Sequence, residues 1–193
     1  MWILGMALIM NDTILVNRHL IDALAKQEGS SPEGMYFLRL AASHYREAAK
    51  FQAQWDRWPL VAAFISALPP ELRADYEAFH GSYDPWPGSF VEAVLKPIRD
   101  QLFHYPLMND EDVRLALADL TMTGTETCHS SDATFASLRG VFADDVASNM
   151  AFGRHSDEEA VAEIVGKLAG LMTGLIRFSE GCVAMFFLSR HRV

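Results

Sequence analysis

Arg99, Asp100 and His104 lie within one short stretch of the chain, between Lys96 and Pro106. An arginine can hold a phosphate with its fixed positive charge, and a histidine can transfer a proton near neutral pH. If the stretch is helical, Asp100 and His104 are i and i+4 on one face, so the carboxylate can orient the imidazole or raise its basicity. Arg99 and His104 would then point about 140° apart around the axis. The stretch predicts either a proton-transfer site beside an anion-binding group or a solvated helix face with an Asp–His contact.

Helical spacing of apolar residues runs through almost the whole sequence, and no stretch shows the sustained alternation of a half-buried strand. The fold class is therefore predicted to be all-α, an antiparallel helical bundle. Expected helices cover Ile3 to Lys26, Met35 to Trp55, Leu60 to Leu68, Glu71 to His80, Phe90 to Tyr105, Asn109 to Met122, Ala133 to Met150, and a long segment after a capping box at 156–159.

A loop and a proline are expected to interrupt these helices. The segment Gly81 to Gly88 contains two prolines and two aromatic residues, which predicts an irregular loop just before the helix that carries Arg99. Pro97 is expected to kink that helix or to start a second piece of it.

In the last helix, Gly166, Gly170 and Gly174 recur every four residues, a spacing that predicts close helix packing.

Length and composition place the chain among single-domain globular proteins. It has 193 residues, of which 50% are apolar and 21% are charged, and a chain of this size buries about 70% of its unfolded surface in one core. A single domain over 1–193 is predicted, with a core at about 3–122 and C-terminal helices at 133–190 packing on it. The formal charge of −9 argues against a broad electrostatic grip on nucleic acid, so any RNA contact must be local. The basic cluster at 190–192 is interpreted as a solvated helix end.

The remaining titratable residues suggest no cofactor and no metal. Cys128 and Cys182 are too few for a disulfide scaffold, so both are interpreted as buried or inert thiols in a reducing cytoplasm. His44 and Glu47 are helix neighbours without the further ligands that a metal site requires. The apolar N-terminus lacks the features of a signal peptide, and the run Ile164 to Leu188 is interrupted by three charges. We therefore expect a buried amphipathic helix there and no membrane contact.

The Arg, polar residue, spacer and His pattern at 99–104, in a late helix of an all-α domain, resembles the motif of the HEPN superfamily. A second resemblance is the long second helix, where Tyr36 to Lys50 is similar to that of prokaryotic members with its inward Glu, here Glu47. The resemblance covers roughly Ile3 to Met122. It implies a helical bundle that dimerises, so that the Arg and His of both subunits line one cleft with metal-independent ribonuclease activity.

The chemistry of RNA cleavage assigns roles to these residues under that resemblance. His104 would deprotonate the attacking 2′-hydroxyl or protonate the leaving oxygen, and Arg99 would stabilise the negative charge that grows on the phosphoryl oxygens. Asp100 would orient either group, and Glu47 would position Arg99 by a bidentate contact. Glu47 is equally open to interpretation as an ordinary i, i+3 partner of Lys50.

The pattern also departs from part of the family. Members that act as toxins beside nucleotidyltransferase antitoxins often carry a Tyr two residues after the His, whereas Pro106 holds that position here. Many domains of this fold bind nucleotides or act as dimeric scaffolds without cleaving RNA. The expected partners are thus a second copy of the chain, RNA or a nucleotide, and a protein partner. The alternative function is a non-catalytic helical dimerisation or interaction module.

Overall fold

The computed structural model describes residues 1–25, 32–102 and 158–190, and these residues form helices and turns with no strand among them. The all-α prediction is confirmed for these ranges. The helices are α1 (Trp2–Ala25), α2 (Pro32–Trp55), α3 (Pro59–Ser66), α4 (Pro70–Gly81), a π-helical turn (Val91–Leu95), α5 (Lys96–Leu102) and α6 (Glu158–Arg190). The predicted helices at 109–122 and 133–150 lie outside the described residues.

Three helices begin with a proline. Pro32, Pro59 and Pro70 are the first residues of α2, α3 and α4, because the missing N–H at this position would have no helical partner and the fixed φ of proline suits the first turn. The sequence placed the starts of α3 and α4 one residue later. Proline acts there as an initiator, in addition to ending the preceding segment.

α2 lies at the centre of the fold, in contact with α1, α5, α6 and the π-helical turn. Leu38, Ala42, Tyr45 and Ala49 recur at helical spacing and form an apolar stripe on one face of α2, and all four are buried. The Tyr45 hydroxyl lies 2.9 Å from the Ser82 hydroxyl, and this links α2 to the loop before the π-helical turn.

α6 carries a continuous buried stripe that packs on α1 and α4. The stripe consists of Val165, Leu168, Ala169, Met172, Leu175, Phe178 and Cys182. Ala162–Ser189 within α6 is long and apolar enough to cross a membrane by length and composition, and 33% of its tested window is buried against the protein. Core helices of soluble proteins pass the same test, so this property alone assigns no environment.

The expected close packing of glycines holds at one of the three predicted positions. A Cβ at Gly174 would lie 3.3 Å from the Asp75 carboxylate on α4. A Cβ at Gly166 or Gly170 would meet no described atom within 4 Å, so close packing at these two positions stays a prediction. Two close approaches occur at other glycines instead. A side chain at Gly5 would overlap the Phe51 ring, and one at Gly181 would overlap Leu72.

Residues 82–89 form a loop, as the sequence predicts, between Gly81 at the end of α4 and Phe90 at the start of the next helical segment; we call this region the 81–90 loop. Gly88 has a φ of +79°, which a residue with a side chain rarely adopts. Tyr83 is buried within it, and the Tyr83 and Trp86 rings lie 6.4 Å apart. The loop leads directly into the π-helical turn that precedes Arg99.

Candidate functional site

The π-helical turn sets the direction of the helix that carries Arg99. The Lys96 N–H bonds to the Val91 carbonyl five residues earlier, one residue further than in an α-helix. Pro97 follows at once, and its ring would clash with the carbonyl of Ala93 in a regular α-helix. The widened turn relieves this conflict. The irregularity predicted at Pro97 therefore takes the form of this widened turn, and the backbone stays helical through Lys96, where α5 begins three residues before Arg99.

Arg99 lies on α5, which packs against α2. Its Nη1 donates a hydrogen bond to Asp100 Oδ1 at 2.9 Å, and its side chain is 24% exposed. The Nε atom is buried with no hydrogen-bond partner. Asp100 therefore fixes the position of the guanidinium through this hydrogen bond.

Glu47 lies on the neighbouring helix α2 with an exposed side chain. It accepts a hydrogen bond from Lys50 at 2.8 Å, and Arg46 Nη1 lies 3.7 Å from the same oxygen. The bond from Lys50 lowers the pKa of Glu47, and the charges of Lys50, Arg99 and Arg46 act in the same direction. The i, i+3 pair with Lys50 is thus present. The Arg99 guanidinium lies within electrostatic range of Glu47, while its hydrogen bond goes to Asp100.

The fourth predicted site residue, His104, lies outside the described residues, as does Cys128. The relation between Arg99 and His104, and the contact between Asp100 and His104, therefore stay predictions. The structure places Arg99 and Asp100 on α5 and Glu47 on α2, the helix against which α5 packs.

Arg46 is a charged residue of this region that sequence reasoning missed. It is buried, with 9% of its surface exposed, and its Nε has no hydrogen-bond partner. A signal was present in the sequence, because Arg46 follows Ala42 by four residues and precedes Ala49 by three. These spacings place a guanidinium at the edge of the apolar stripe of α2. A buried charge at such a position is costly unless a counter-charge or hydrogen bonds compensate for its lost hydration.

A second polar cluster surrounds Asp56, just after α2. Its carboxylate accepts hydrogen bonds from Gln52 Nε2 at 2.8 Å, from the Tyr76 hydroxyl at 3.0 Å and from the Tyr83 hydroxyl at 2.7 Å. His80 Nε2 lies 3.8 Å from Asp56. The three hydrogen-bond donors lie on α2, on α4 and in the loop after α4, so Asp56 links the end of α2 to α4 and to that loop.

The same cluster extends from Gln52 into the core and from His80 to the surface. The Trp2 indole N–H donates to Gln52 Oε1 at 3.0 Å, and His80 Nε2 also lies 3.8 Å from Asp84. Burial, followed by the hydrogen bond to Asp56 and its charge, raises the pKa of Tyr83. Sequence spacing gives no access to this cluster, because its members come from positions 2 to 84.

A pocket of about 350 Å³ lies between the 81–90 loop and α6. Ser82, Asp84, Ser89, Phe90, Lys167 and Leu171 contribute to its wall. The Lys167 ammonium lies 4.6 Å from the centre of the Phe90 ring. Neither Arg99 nor Glu47 lines this pocket, so it is separate from the contact between α2 and α5.

Within the three described ranges, no group of three or more His, Cys, Asp or Glu side chains is arranged to hold a metal ion. Cys182, predicted to be buried or inert, is a free buried thiol on α6, and burial raises its pKa to about 12. A thiol with this pKa is protonated at neutral pH and is a poor nucleophile.

Comparison with known proteins adds no relative. No protein-family model matches the chain, and neither a curated protein nor a solved structure matches it. The functional argument therefore depends on the geometry of the described residues and on the sequence pattern.

Proposed function

We propose that the chain is a HEPN-like, metal-independent endoribonuclease that acts as a homodimer. The observation that carries the proposal is the packing of α5 against α2, which puts the Arg99 guanidinium within electrostatic range of Glu47 and holds it by Asp100. The resemblance likewise expects Glu47 on the second helix to act on Arg99. A defence or toxin–antitoxin role follows from the same resemblance.

Arg99 suits the charge that develops in the reaction. As a 2′-hydroxyl attacks the adjacent phosphate, negative charge grows on the non-bridging oxygens, and a preorganised cation stabilises this transition state more than the ground state. The hydrogen bond from Arg99 to Asp100 fixes the guanidinium before substrate arrives. His104 would take the proton from the 2′-hydroxyl or give one to the leaving 5′-oxygen.

The proposed mechanism predicts both metal-independent cleavage and the chemical groups at the ends of the products. Purified protein in excess EDTA should cleave single-stranded RNA, and the products should carry a 2′,3′-cyclic phosphate and a 5′-hydroxyl. Replacing the 2′-hydroxyl at a cleaved position with hydrogen should block that cut. His104→Ala and Arg99→Ala should each lower kcat at least about 100-fold, as loss of a proton-transfer group or of a transition-state donor does.

The matched control is Arg73→Ala, which removes an exposed arginine on α4 and should leave cleavage unchanged. Cleavage that survives in His104→Ala would remove that residue from the mechanism. Cleavage that requires a divalent cation would contradict the proposal as a whole.

A second candidate function, a non-catalytic interaction module, is favoured by the outer face of α1. Leu4, Leu8 and Leu15 are each more than half exposed, and at 100° per residue they lie within about 40° of one another, opposite the buried face that carries Met6 and Leu20. Solvent-facing leucines at this spacing are typical of contact surfaces. This function expects no RNA turnover, together with a shift to monomer in sedimentation when the three leucines are changed to Gln.

A further inference from the structure

Arg46 is the most deeply buried guanidinium in the described ranges of the chain. It is nine-tenths buried, and it lies where α2 contacts both the π-helical turn and α5. Its Nε is buried without a hydrogen-bond partner, as is the Nε of Arg99. Two guanidiniums with incompletely used donors, one on α2 and one on the helix α5 that packs against it, therefore act electrostatically on the Glu47 carboxylate.

The carboxylates of this region are each bonded to a cation other than Arg46. Glu47 accepts a hydrogen bond from Lys50, and Asp100 accepts one from Arg99. Glu92, on the π-helical turn, is paired with Lys96. Among the described residues, Arg46 lies 3.7 Å from Glu47, which is too far for a hydrogen bond. The hydrogen bond from Lys96 lowers the pKa of Glu92, and the charge of Arg46 acts in the same direction.

The electrostatic balance among these described residues is positive. Arg46, Lys50, Lys96 and Arg99 oppose Glu47, Glu92 and Asp100, so four cations face three anions. A buried charge is costly unless a counter-charge and hydrogen bonds compensate for its lost hydration. The excess cation is also the most buried one, and one further anion at this position would satisfy it.

We propose that Arg46 binds an oxyanion, a phosphate of the RNA chain next to the one held by Arg99. This inference rests on the proposed function for the identity of the anion. The geometry favours phosphate because a guanidinium presents a planar set of N–H donors that can contact two oxygens of one phosphate. Arg46 thereby acts as a substrate-binding residue beside the reacting group.

The first test measures thermal unfolding of the wild-type protein in sodium phosphate and in sodium chloride of equal ionic strength. Phosphate at about ten times its Kd should raise Tm by about 3 °C relative to chloride. Arg46→Met should lose this shift, and Arg73→Met, which removes an exposed arginine on α4, should keep it. A wild-type protein with no phosphate-specific shift, or an Arg46→Met protein with the full shift, would overturn the proposal.

Arg46→Lys supplies the test if Arg46→Met does not fold. Lysine retains the charge but cannot contact two oxygens in one plane, so phosphate binding measured by ³¹P line broadening should weaken at least about three-fold. Equal phosphate binding by the wild-type and Arg46→Lys proteins would overturn the proposal.

The second test uses a 2′-O-methyl RNA oligonucleotide, which cannot undergo internal attack. Its affinity, followed by fluorescence anisotropy, should fall about ten-fold in Arg46→Gln and stay constant in Arg73→Gln. Unchanged affinity in Arg46→Gln would contradict RNA as the source of the phosphate. Binding that depends on Arg46, without cleavage of ordinary RNA in EDTA, would instead refute the ribonuclease function and retain the anion site.

Discussion

Three tyrosines among the described residues, Tyr45, Tyr76 and Tyr83, have raised pKa values, mainly because they are buried. Burial raises the pKa of Tyr45, against a smaller opposing effect of its bond to Ser82. Burial also raises the pKa of Tyr76, and the charge and hydrogen bond of Asp56 add to this effect. Burial, together with the hydrogen bond to Asp56 and its charge, also raises the pKa of Tyr83. The folded state thus holds phenolic protons that an unfolded chain loses near pH 10.

This difference predicts alkaline destabilisation. Below pH 10 both states are protonated, and the favourable contribution is complete. Above pH 10 the unfolded state binds fewer protons than the folded state, so the free energy of unfolding falls as the pH rises toward the raised pKa of the folded state. For the fully buried Tyr45 the slope is about 1.4 kcal/mol per pH unit. The Cys182 thiol adds to the loss over part of this range.

Urea denaturation between pH 8 and pH 11 provides the measurement. Tyr45→Phe should lower stability at every pH, because Ser82 loses its partner, and it should also make the alkaline slope shallower. Tyr36→Phe, at an exposed position on α2, should change neither quantity. A slope identical in the wild-type and Tyr45→Phe proteins would show that Tyr45 ionises normally.

The hydrogen bonds and burial of single side chains were harder to predict than the helices. Arg99, Asp100 and Glu47 share one region, as the sequence suggested, because i, i+1 neighbours and two packed helices constrain them strongly. The hydrogen bond from Arg99 to Asp100 and the burial of Arg46 depend on tertiary packing between helices. The Asp56 cluster likewise joins residues from α1 to the 81–90 loop, and no local pattern encodes it.

Among the helices, the glycines of α6 and α1 have opposite roles. A glycine inside a helix costs about 1 kcal/mol relative to alanine when nothing occupies the space beside it. Gly170 is in this situation, whereas Gly5 supports the close contact of α1 with the Phe51 ring on α2. The helical spacing that drew attention to the glycines of α6 did not distinguish these cases.

Alanine substitutions should separate the two roles. Gly170→Ala should raise the free energy of unfolding by about 0.5–1 kcal/mol. Gly5→Ala should lower it by about 1–3 kcal/mol, since the ring of Phe51 must move. Urea denaturation with a constant m-value measures both. A destabilised Gly170→Ala protein would indicate that a part of the chain outside the described ranges covers that face.

Helix boundaries followed closely from prolines and apolar spacing, and the π-helical turn did not. The sequence indicates a conflict at Pro97, which a kink, a break or a widened turn can all resolve. The choice depends on how Val91, Leu95 and Ile98 fill the core, since all three are completely buried. The widened turn rotates α5 by about the angle of one extra residue, so a helical wheel drawn through residue 95 misplaces Arg99.

For the molecule as a whole, the net charge of −9 limits how it can hold RNA. The proposed contacts are local and involve Arg99 and Arg46 against an acidic background. Counterion release from a single strand gives a slope of log K against log salt of about −0.7 per phosphate. Two phosphate contacts therefore predict a slope of about −1.4.

Titrations of the 2′-O-methyl oligonucleotide at several potassium chloride concentrations measure this slope. Arg46→Gln should reduce its magnitude by about 0.7, and Arg73→Gln should leave it unchanged. A slope steeper than about −4 would mean that many more cations contact the RNA, which would contradict a local site.

The indole of Trp2, which is hydrogen-bonded to Gln52, provides a fluorescent reporter at the N-terminal end of α1. Trp2 is 6% exposed, whereas Trp58 is 55% exposed, and Trp55 and Trp86 lie between these extremes. With Trp55, Trp58 and Trp86 replaced by Phe, the emission of the remaining indole would respond to water reaching the α1–α2 junction. Detachment of the first helix could then be followed in real time, separately from loss of the rest of the fold.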